Sequence, residues 1–158
     1  MALRMIKKAK ENNATKLHLT RFKMSDASPL KGLTNLEILH LDNNQITDIS
    51  PLKGLTSLKE LYLSGDLAVD NEISDLSPLS GLTNLEVLDL RHNRITDISP
   101  LAGLTKLKGL NLHYNQITDI SPLKGLTSLK ELSLSGNIIT NERRLMLRKA
   151  LPNCKIFF

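Results

Sequence analysis

Apolar and polar residues follow two alternating patterns along this chain. In residues 38–44, ILHLDNN, the leucines alternate with other residues, and this period of two predicts a short strand with one buried face. The motif Asp-Ile-Ser-Pro-Leu follows at residues 48–52; its proline excludes a strand, and its polar residues favour a turn. The pattern therefore predicts short strands separated by short helical turns.

The same unit recurs with a period near 22 residues. Residues 44–65 and residues 115–136 are identical except that Tyr62 in the first corresponds to Ser133 in the second. A degenerate copy, with Phe22 in place of an asparagine, precedes the full units. A period of this length is typical of a solenoid, in which each unit packs against its neighbours. Full units open at Leu33, Leu55, Leu82, Leu104 and Leu126.

Stacked units of this kind predict a single-domain α/β solenoid over residues 1–158. The strands form one parallel sheet, and the turns lie on the opposite, convex side. We expect an N-terminal cap at about residues 1–13, repeats at about 14–139 and a C-terminal cap at about 140–158.

Each cap is predicted to contain a helix, because the ends of a solenoid expose core that needs a cover. At the N-terminus, Leu3, Met5, Ile6 and Ala9 are expected to face the core. At the C-terminus, Thr140 or Asn141 begins a helix that turns Leu147, Ala150 and Leu151 inward and ends at Pro152, and residues 155–158 add a last strand. The alternative use of a basic amphipathic helix is to lie on a membrane or to bind an acidic partner.

An asparagine follows each predicted strand. A buried side-chain amide can bond both a carbonyl and an N–H of the turn, which satisfies backbone groups that leave the sheet. We therefore predict a structural asparagine ladder of Asn44, Asn71, Asn93, Asn115 and Asn137.

These units resemble leucine-rich repeats. The stretch NQITDISPLKGLT is similar to the 22-residue subclass found in bacterial internalins and in the phosphatase-regulating repeat proteins of eukaryotes. The resemblance covers about residues 15–140. It implies a curved, right-handed superhelix whose concave sheet grips other proteins, but it carries over no ligand-contacting residue.

The outward-facing strand positions vary while the turns repeat almost unchanged, which favours a binding surface over a merely solvated sheet. Histidine, tyrosine and arginine, which combine contact area with a polar group, are concentrated there. The predicted contact residues of this partner-binding face are His40, Tyr62, Asp89, Arg91, Asn111, His113 and Tyr114.

One unit is longer than the others, with the surplus between Leu63 and Ile73. An insertion in a solenoid forms a loop on one side, and we predict a solvated loop beside Tyr62 in which Asp66 and Asp70 border the binding face. The alternative is a cation site, but the acidic residues do not have the spacing of a calcium loop.

Metal and catalytic sites are not expected. His18 and His40 lie on adjacent strands and would need a third ligand from Asp42 or Tyr62, so we predict no metal and no cofactor. Asp89, His113 and Ser135 could be drawn as a triad, but they lie on an open surface without oxyanion donors. The sequence therefore predicts no enzyme.

The formal net charge of +5 comes from bases in the caps and on the outer turns, which argues against nucleic acid as a partner. No apolar run is long enough for membrane insertion, and no secretory signal is visible. We expect a cytoplasmic protein, or a secreted one if a signal has been removed. The single cysteine, Cys154, excludes an intramolecular disulfide framework and is expected to pack in the C-terminal cap.

The functional hypothesis is a non-catalytic protein–protein interaction module that binds a protein partner on its concave face. Two alternatives stay open: a secreted bacterial adhesin or effector fragment that engages a host protein, and a designed or structural consensus scaffold without a partner. We expect a monomer, in which Phe157 and Phe158 complete the cap; their exposure would instead favour a dimer contact.

Overall fold

Seven short strands form one parallel sheet in the described part of the chain, which comprises residues 1–66 and 71–158 of the computed structural model. Strand order follows chain order, as expected for stacked units. The predicted parallel sheet is confirmed. The strands are β1 Lys16–His18, β2 Ile38–His40, β3 Glu60–Tyr62, β4 Val87–Asp89, β5 Gly109–Asn111, β6 Glu131–Ser133 and β7 Lys155–Phe157.

The middle residue of every strand points into the core. Leu39 pairs with Leu17 on one side and with Leu61 on the other, and all three are at most 5% exposed. Because side chains alternate along a strand, the residues before and after each middle residue face the opposite side of the sheet. The buried row comprises Leu17, Leu39, Leu61, Leu88, Leu110, Leu132 and Ile156.

Short 3₁₀ turns lie on the opposite side of the core from the sheet face, which confirms the predicted helical turns. In one of them, Asp48 accepts a hydrogen bond from the Ser50 amide at 2.8 Å and another from the Ser50 hydroxyl at 2.9 Å. Proline follows the serine and supplies a backbone angle suited to the first helical residues. The turns span Ser28–Leu30, Ser50–Leu52, Ser77–Leu79, Ser99–Leu101 and Ser121–Gly125.

The asparagine side chains each join two neighbouring coils. Asn93 accepts a hydrogen bond from the Ile73 amide and donates to the carbonyls of Leu63 and Leu90, with all three distances at 3.0 Å. The same set of bonds recurs at each position of the series, so coil stacking and strand exit are held by one side chain. The other members are Asn44, Asn71, Asn115 and Asn137.

Helices cover both ends of the stack, which confirms the predicted helical caps. The N-terminal helix, α1, spans Ala2–Glu11 and buries Ile6 and Ala9. The prediction for Leu3 is wrong, because this side chain is 65% exposed. Residues 2, 5, 6 and 9 share one face at helical spacing, and position 3 lies to the side of that face.

The C-terminal helix, α2, spans Asn141–Ala150 and begins after Thr140, whose hydroxyl accepts a hydrogen bond from the Arg143 amide at 3.4 Å. Leu147 and Leu151 are buried against the last repeat. Strand β7 follows and pairs with β6, as predicted.

The tail after α2 completes this cap. Cys154 is a free, partly buried thiol, and burial raises its pKa. The Phe158 ring packs against the core, and the guanidinium groups of Arg144 and Arg148 lie 5.2 Å from its centre. Phe157 stays 40% exposed.

Candidate protein-binding face

The candidate site is the open face of the sheet, which we call the concave face. It consists of the outward-pointing residues of the strands together with those at the strand exits. Strand register places its side chains in rows that run across the molecule. The first row is Lys16, Ile38, Glu60, Val87, Gly109, Glu131 and Lys155, and the second is His18, His40, Tyr62, Asp89, Asn111, Ser133 and Phe157.

Three rings form a stack at one end of the second row. The ring centre of His40 lies 4.3 Å from that of His18 and 4.2 Å from that of Tyr62, with interplanar angles of 17° and 6°. In-register parallel strands about 4.8 Å apart bring identical positions into this stacking distance. His18, His40 and Tyr62, here named the histidine stack, therefore form a continuous ring surface on β1–β3.

The Tyr62 hydroxyl is fixed by its own strand. It donates a hydrogen bond to the Glu60 carboxylate at 2.8 Å. Burial and this hydrogen bond raise the pKa of Tyr62 to about 12, so the phenol stays neutral and keeps its donor. The orientation of the ring is thus set before any partner binds.

A second group of rings lies at the exits of β4 and β5. Ring centres of Tyr114 and His113 are 4.2 Å apart, and those of Tyr114 and His92 are 4.8 Å apart. Tyr114 is 53% exposed, so about half of this residue faces solvent. His92, His113 and Tyr114 are named the rim cluster below.

Two members of the rim cluster occupy strained backbone positions. His92 has a φ of 53° and Tyr114 a φ of 50°, in the left-handed region that favours glycine and asparagine. The equivalent strand exits carry Asn43 with a φ of 54° and Gly136 with a φ of 78°. Large rings therefore stand where the turn itself would be less strained with a small residue.

The centre of the face is polar. The Arg91 Nε atom lies 3.4 Å from an oxygen of Asp89, and the other Asp89 oxygen accepts a hydrogen bond from the Arg91 amide. Burial raises the pKa of the Asp89 carboxyl above its ordinary value of 3.8. Asn111 uses its side-chain oxygen to accept from the His113 amide at 3.1 Å.

The insertion is only partly described. Asp66 lies 3.6 Å from the guanidinium of Arg21, at the exit of β1, and so borders the face near the histidine stack. Asp70 lies outside the described residues.

The predicted contact residues fall into three neighbouring groups on one surface. His40 and Tyr62 belong to the histidine stack, whereas His113 and Tyr114 belong to the rim cluster. Asp89, Arg91 and Asn111 lie between them. The register of β2–β5 places His40, Tyr62, Asp89 and Asn111 in one outward-facing row. Arg91, His113 and Tyr114 follow at the exits of β4 and β5.

The triad that could be drawn from Asp89, His113 and Ser135 is not joined through the Nδ1 atom of His113. The buried Nδ1 atom of His113 has no hydrogen-bond partner among the described residues, so neither Asp89 nor Ser135 is bonded to it there. Residues 1–66 and 71–158 contain no group of three His, Cys, Asp or Glu side chains placed to hold a metal ion. The same residues include no helix with the length and apolar character needed to cross a bilayer.

Three features of this face were not among the predicted contact residues. His18 completes the histidine stack, and His92 completes the rim cluster. Gly109 leaves a gap in the first row. The gap has a signal in the sequence, because glycine occupies a position where other units carry a longer side chain.

Comparisons with known proteins identify the repeated unit. The leucine rich repeat model matches residues 83–139, and the model for two copies of leucine rich repeats matches residues 15–54, 34–68 and 56–103. No match was found among curated proteins.

Solved structures of bacterial proteins are similar over nearly the whole chain. An internalin, InlF, of Listeria monocytogenes is 40% identical with a TM-score of 0.84, over 92% of this chain and 42% of the internalin. Internalin C2 of the same species is 37% identical with a TM-score of 0.72, over 93% of this chain and 70% of its own.

A leucine-rich repeat protein of Leptospira interrogans is 32% identical with a TM-score of 0.75, over 94% of this chain and 38% of its own. This chain therefore spans less than half the length of two of these three relatives. With repeat models matched across residues 15–139 and internalins at this level of identity, the chain belongs to the leucine-rich repeat family, as a curved solenoid of internalin type.

Proposed function

We propose that this chain is a non-catalytic protein-interaction module that binds a protein partner on its concave face. Leucine-rich repeat proteins are generally protein-interaction modules. One observation carries the proposal for this chain: residues 44–65 and 115–136 are identical except at Tyr62 and Ser133, which lie in one row of the concave face. The buried and turn positions are the same in both copies, and the one difference falls on the concave face.

The strained turns of the rim cluster support the same surface. A non-glycine residue in the left-handed region destabilises the fold by roughly 1–2 kcal/mol. His92 and Tyr114 carry this strain and still leave ring area exposed. Aromatic side chains with a polar group are enriched at protein interfaces, so a binding role accounts for rings that the turn does not require.

Affinity capture from an extract of the source organism tests the proposal. Three baits are compared: the wild type, a concave variant with Tyr62→Ala, Arg91→Ala and Tyr114→Ala, and a convex variant with Lys31→Ala, Lys53→Ala and Lys124→Ala. Circular dichroism verifies that both variants fold. We expect a partner that the wild type and the convex variant retain and that the concave variant binds at least about tenfold more weakly. A partner lost only by the convex variant would refute the proposal.

A second candidate is a secreted bacterial adhesin or effector fragment that engages a host protein. The identity of 40% with a Listeria internalin favours it. Parallel capture from host-cell extract distinguishes the two, because this candidate requires the concave-dependent partner to come from the host extract alone.

A further inference from the structure

A pocket opens on the concave face where the first row lacks a side chain. Glu60 and Val87 stand on one side of Gly109, and Glu131 stands on the other. The gap forms a pocket of about 200 Å³. A Cβ atom built on Gly109 would meet no described atom within 4 Å, so the space above this residue is open.

The lining of this Gly109 pocket suits a long side chain with a polar tip. Val87 contributes apolar surface, and the half-buried Tyr62 forms part of the wall. Leu88 and Leu110 border the floor with their backbone, because their side chains point into the core. Asp89 and Glu131 contribute carboxylates to the same lining. An aliphatic chain can therefore pack on the floor while its end reaches charged groups.

The charge of this region selects a cation. In the described part of the chain, the two outward-pointing rows of β2–β6 carry the carboxylates of Glu60, Asp89 and Glu131 and no lysine or arginine. Two residues beyond the second row, at the strand exits, Asp42 adds a carboxylate and Arg91 a guanidinium. The lysines of the first row, Lys16 and Lys155, lie on the two end strands.

Of the two carboxylate residues in the pocket lining, Asp89 is the one removed from water, whereas Glu131 is exposed. The Asp89 side chain is only 14% exposed, whereas its partner Arg91 is 49% exposed at a separation of 3.4 Å. A half-solvated ion pair leaves a desolvated carboxylate incompletely compensated, and burial raises the pKa of Asp89 accordingly. A second cation that enters from the pocket would be held by a group already removed from water.

We propose, on the basis of the concave-face binding proposed above, that the Gly109 pocket receives a lysine or arginine side chain of the partner protein. The aliphatic part of that side chain packs on Val87 and the Tyr62 ring. Its cationic end lies between Asp89 and Glu131. The pocket thus makes the face selective for basic segments, although the whole chain carries a net charge of +5.

Titration of the isotope-labelled protein with defined peptides tests this inference. The probe is an acetylated and amidated Gly-Gly-Lys-Gly-Gly peptide, and the matched control peptide has norleucine in place of lysine. We expect saturable NMR shifts at the amides of Leu88, Gly109 and Asn111 with a Kd in the millimolar range, because one side chain supplies the contact. The norleucine peptide is expected to bind at least about tenfold more weakly, since it keeps the stem but lacks the charge.

Two variants and one control assign the shifts to the pocket. Gly109→Leu fills the space above the strand. Asp89→Asn removes the charge, and the oxygen of the new amide can still accept a hydrogen bond from the Arg91 amide. Both variants are expected to abolish the saturable NMR shifts caused by the lysine peptide. Gly103→Leu makes the same substitution on an outer turn, where a Cβ also meets no described atom, and is expected to bind the lysine peptide like the wild type.

Failure of this inference is distinguishable from failure of the proposed function. The Gly109 assignment is overturned if the lysine peptide gives no saturable shift, or if norleucine or Gly109→Leu leaves binding unchanged. That result leaves intact a partner that depends on Tyr62, Arg91 and Tyr114. If instead a captured partner ignores those three substitutions, concave-face binding fails, whatever the peptide does.

Discussion

At the residue scale, the asparagine amides explain how neighbouring coils are locked together. Each amide oxygen accepts from the preceding coil, and each amide nitrogen donates to backbone carbonyls at two neighbouring strand exits. An unpaired buried backbone group destabilises the fold by about 1–3 kcal/mol, so these side chains stabilise the stack by satisfying several such groups at once.

Removal of one of these side-chain amides should therefore lower the stability of the protein substantially. Asn93→Ala leaves the buried Ile73 amide N–H without its acceptor, and we expect the free energy of unfolding to fall by about 2–3 kcal/mol. Urea denaturation measures this loss. Asn35→Ala, at an exposed asparagine, is the control and should change stability by less than about 0.5 kcal/mol. Equal effects of the two substitutions would contradict the ladder.

Two aspartates on opposite sides of the molecule respond to pH with opposite sign. Burial raises the pKa of Asp89, so its contribution to stability is present below its unfolded pKa and is lost as the pH rises through its folded pKa. Hydrogen bonds from the Ser99 amide and hydroxyl lower the pKa of Asp97, so its contribution is present above its unfolded pKa and is lost as the pH falls through its folded pKa.

Matched substitutions test this contrast. At neutral pH, Asp89→Asn should raise Tm because it removes a desolvated charge, whereas Asp97→Asn should lower Tm because it weakens a turn. Both differences should shrink as the pH falls below the ordinary carboxyl value of 3.8. Thermal unfolding followed by circular dichroism across this range supplies the curves. A Tm lowered at neutral pH by both variants would be inconsistent with a desolvated Asp89.

Sequence periodicity predicts which residues face outward but not how their side chains meet. The alternation of leucines placed His40 and Tyr62 on one face, and the register aligns them. The 4.2 Å ring separation depends on side-chain torsions that the alternation does not determine. The pocket above Gly109 is likewise a property of neighbouring strands, because its walls come from several consecutive units rather than from one sequence segment.

At the element scale, the strand exits of several units adopt a left-handed backbone conformation. The residue type at this left-handed position differs between units: it is Asn43, His92, Tyr114 or Gly136. Gly136 adopts the left-handed conformation without steric strain, and its missing side chain leaves space for the Tyr114 ring. A Cβ on Gly136 would lie 2.6 Å from the Tyr114 ring.

Gly136→Ala should consequently destabilise the protein in two separable ways. The left-handed backbone accounts for roughly 1–2 kcal/mol, and displacement of the Tyr114 ring adds to it. In a Tyr114→Ala background only the backbone part should remain, which a double-mutant cycle of unfolding free energies measures. Gly103→Ala is the control, since its Cβ meets nothing described. Identical losses in both backgrounds would show that the ring does not occupy this space.

The caps illustrate what helical periodicity can and cannot predict for an element. The N-cap at Thr140 and the inward positions Leu147 and Leu151 follow from capping preference and spacing. The apolar character of Leu3 predicts that it packs against the core, but its angular position on α1 leaves it exposed to solvent. Only contact with the first repeat defines which face is buried.

At the scale of the whole molecule, scaffold and surface are separated by the direction of the side chains. Leucines, isoleucines and asparagine amides fill the interior, and the turns repeat with little change. Rings and carboxylates collect on the concave face, between basic ends. A solenoid built in this way can vary its surface without altering its core, which is the physical basis of the proposed binding function.

Hydroxyl-radical footprinting of the chain with and without its captured partner tests concave-face binding most directly. Tyr114 of the rim cluster is 53% exposed, and Met146 on α2 is 44% exposed, so the two report on opposite surfaces from similar starting accessibility. Binding on the concave face should suppress oxidation of Tyr114, His113, His40 and Tyr62 and leave oxidation of Met146 unchanged. Suppression at Met146 with undiminished oxidation of Tyr114 would contradict it.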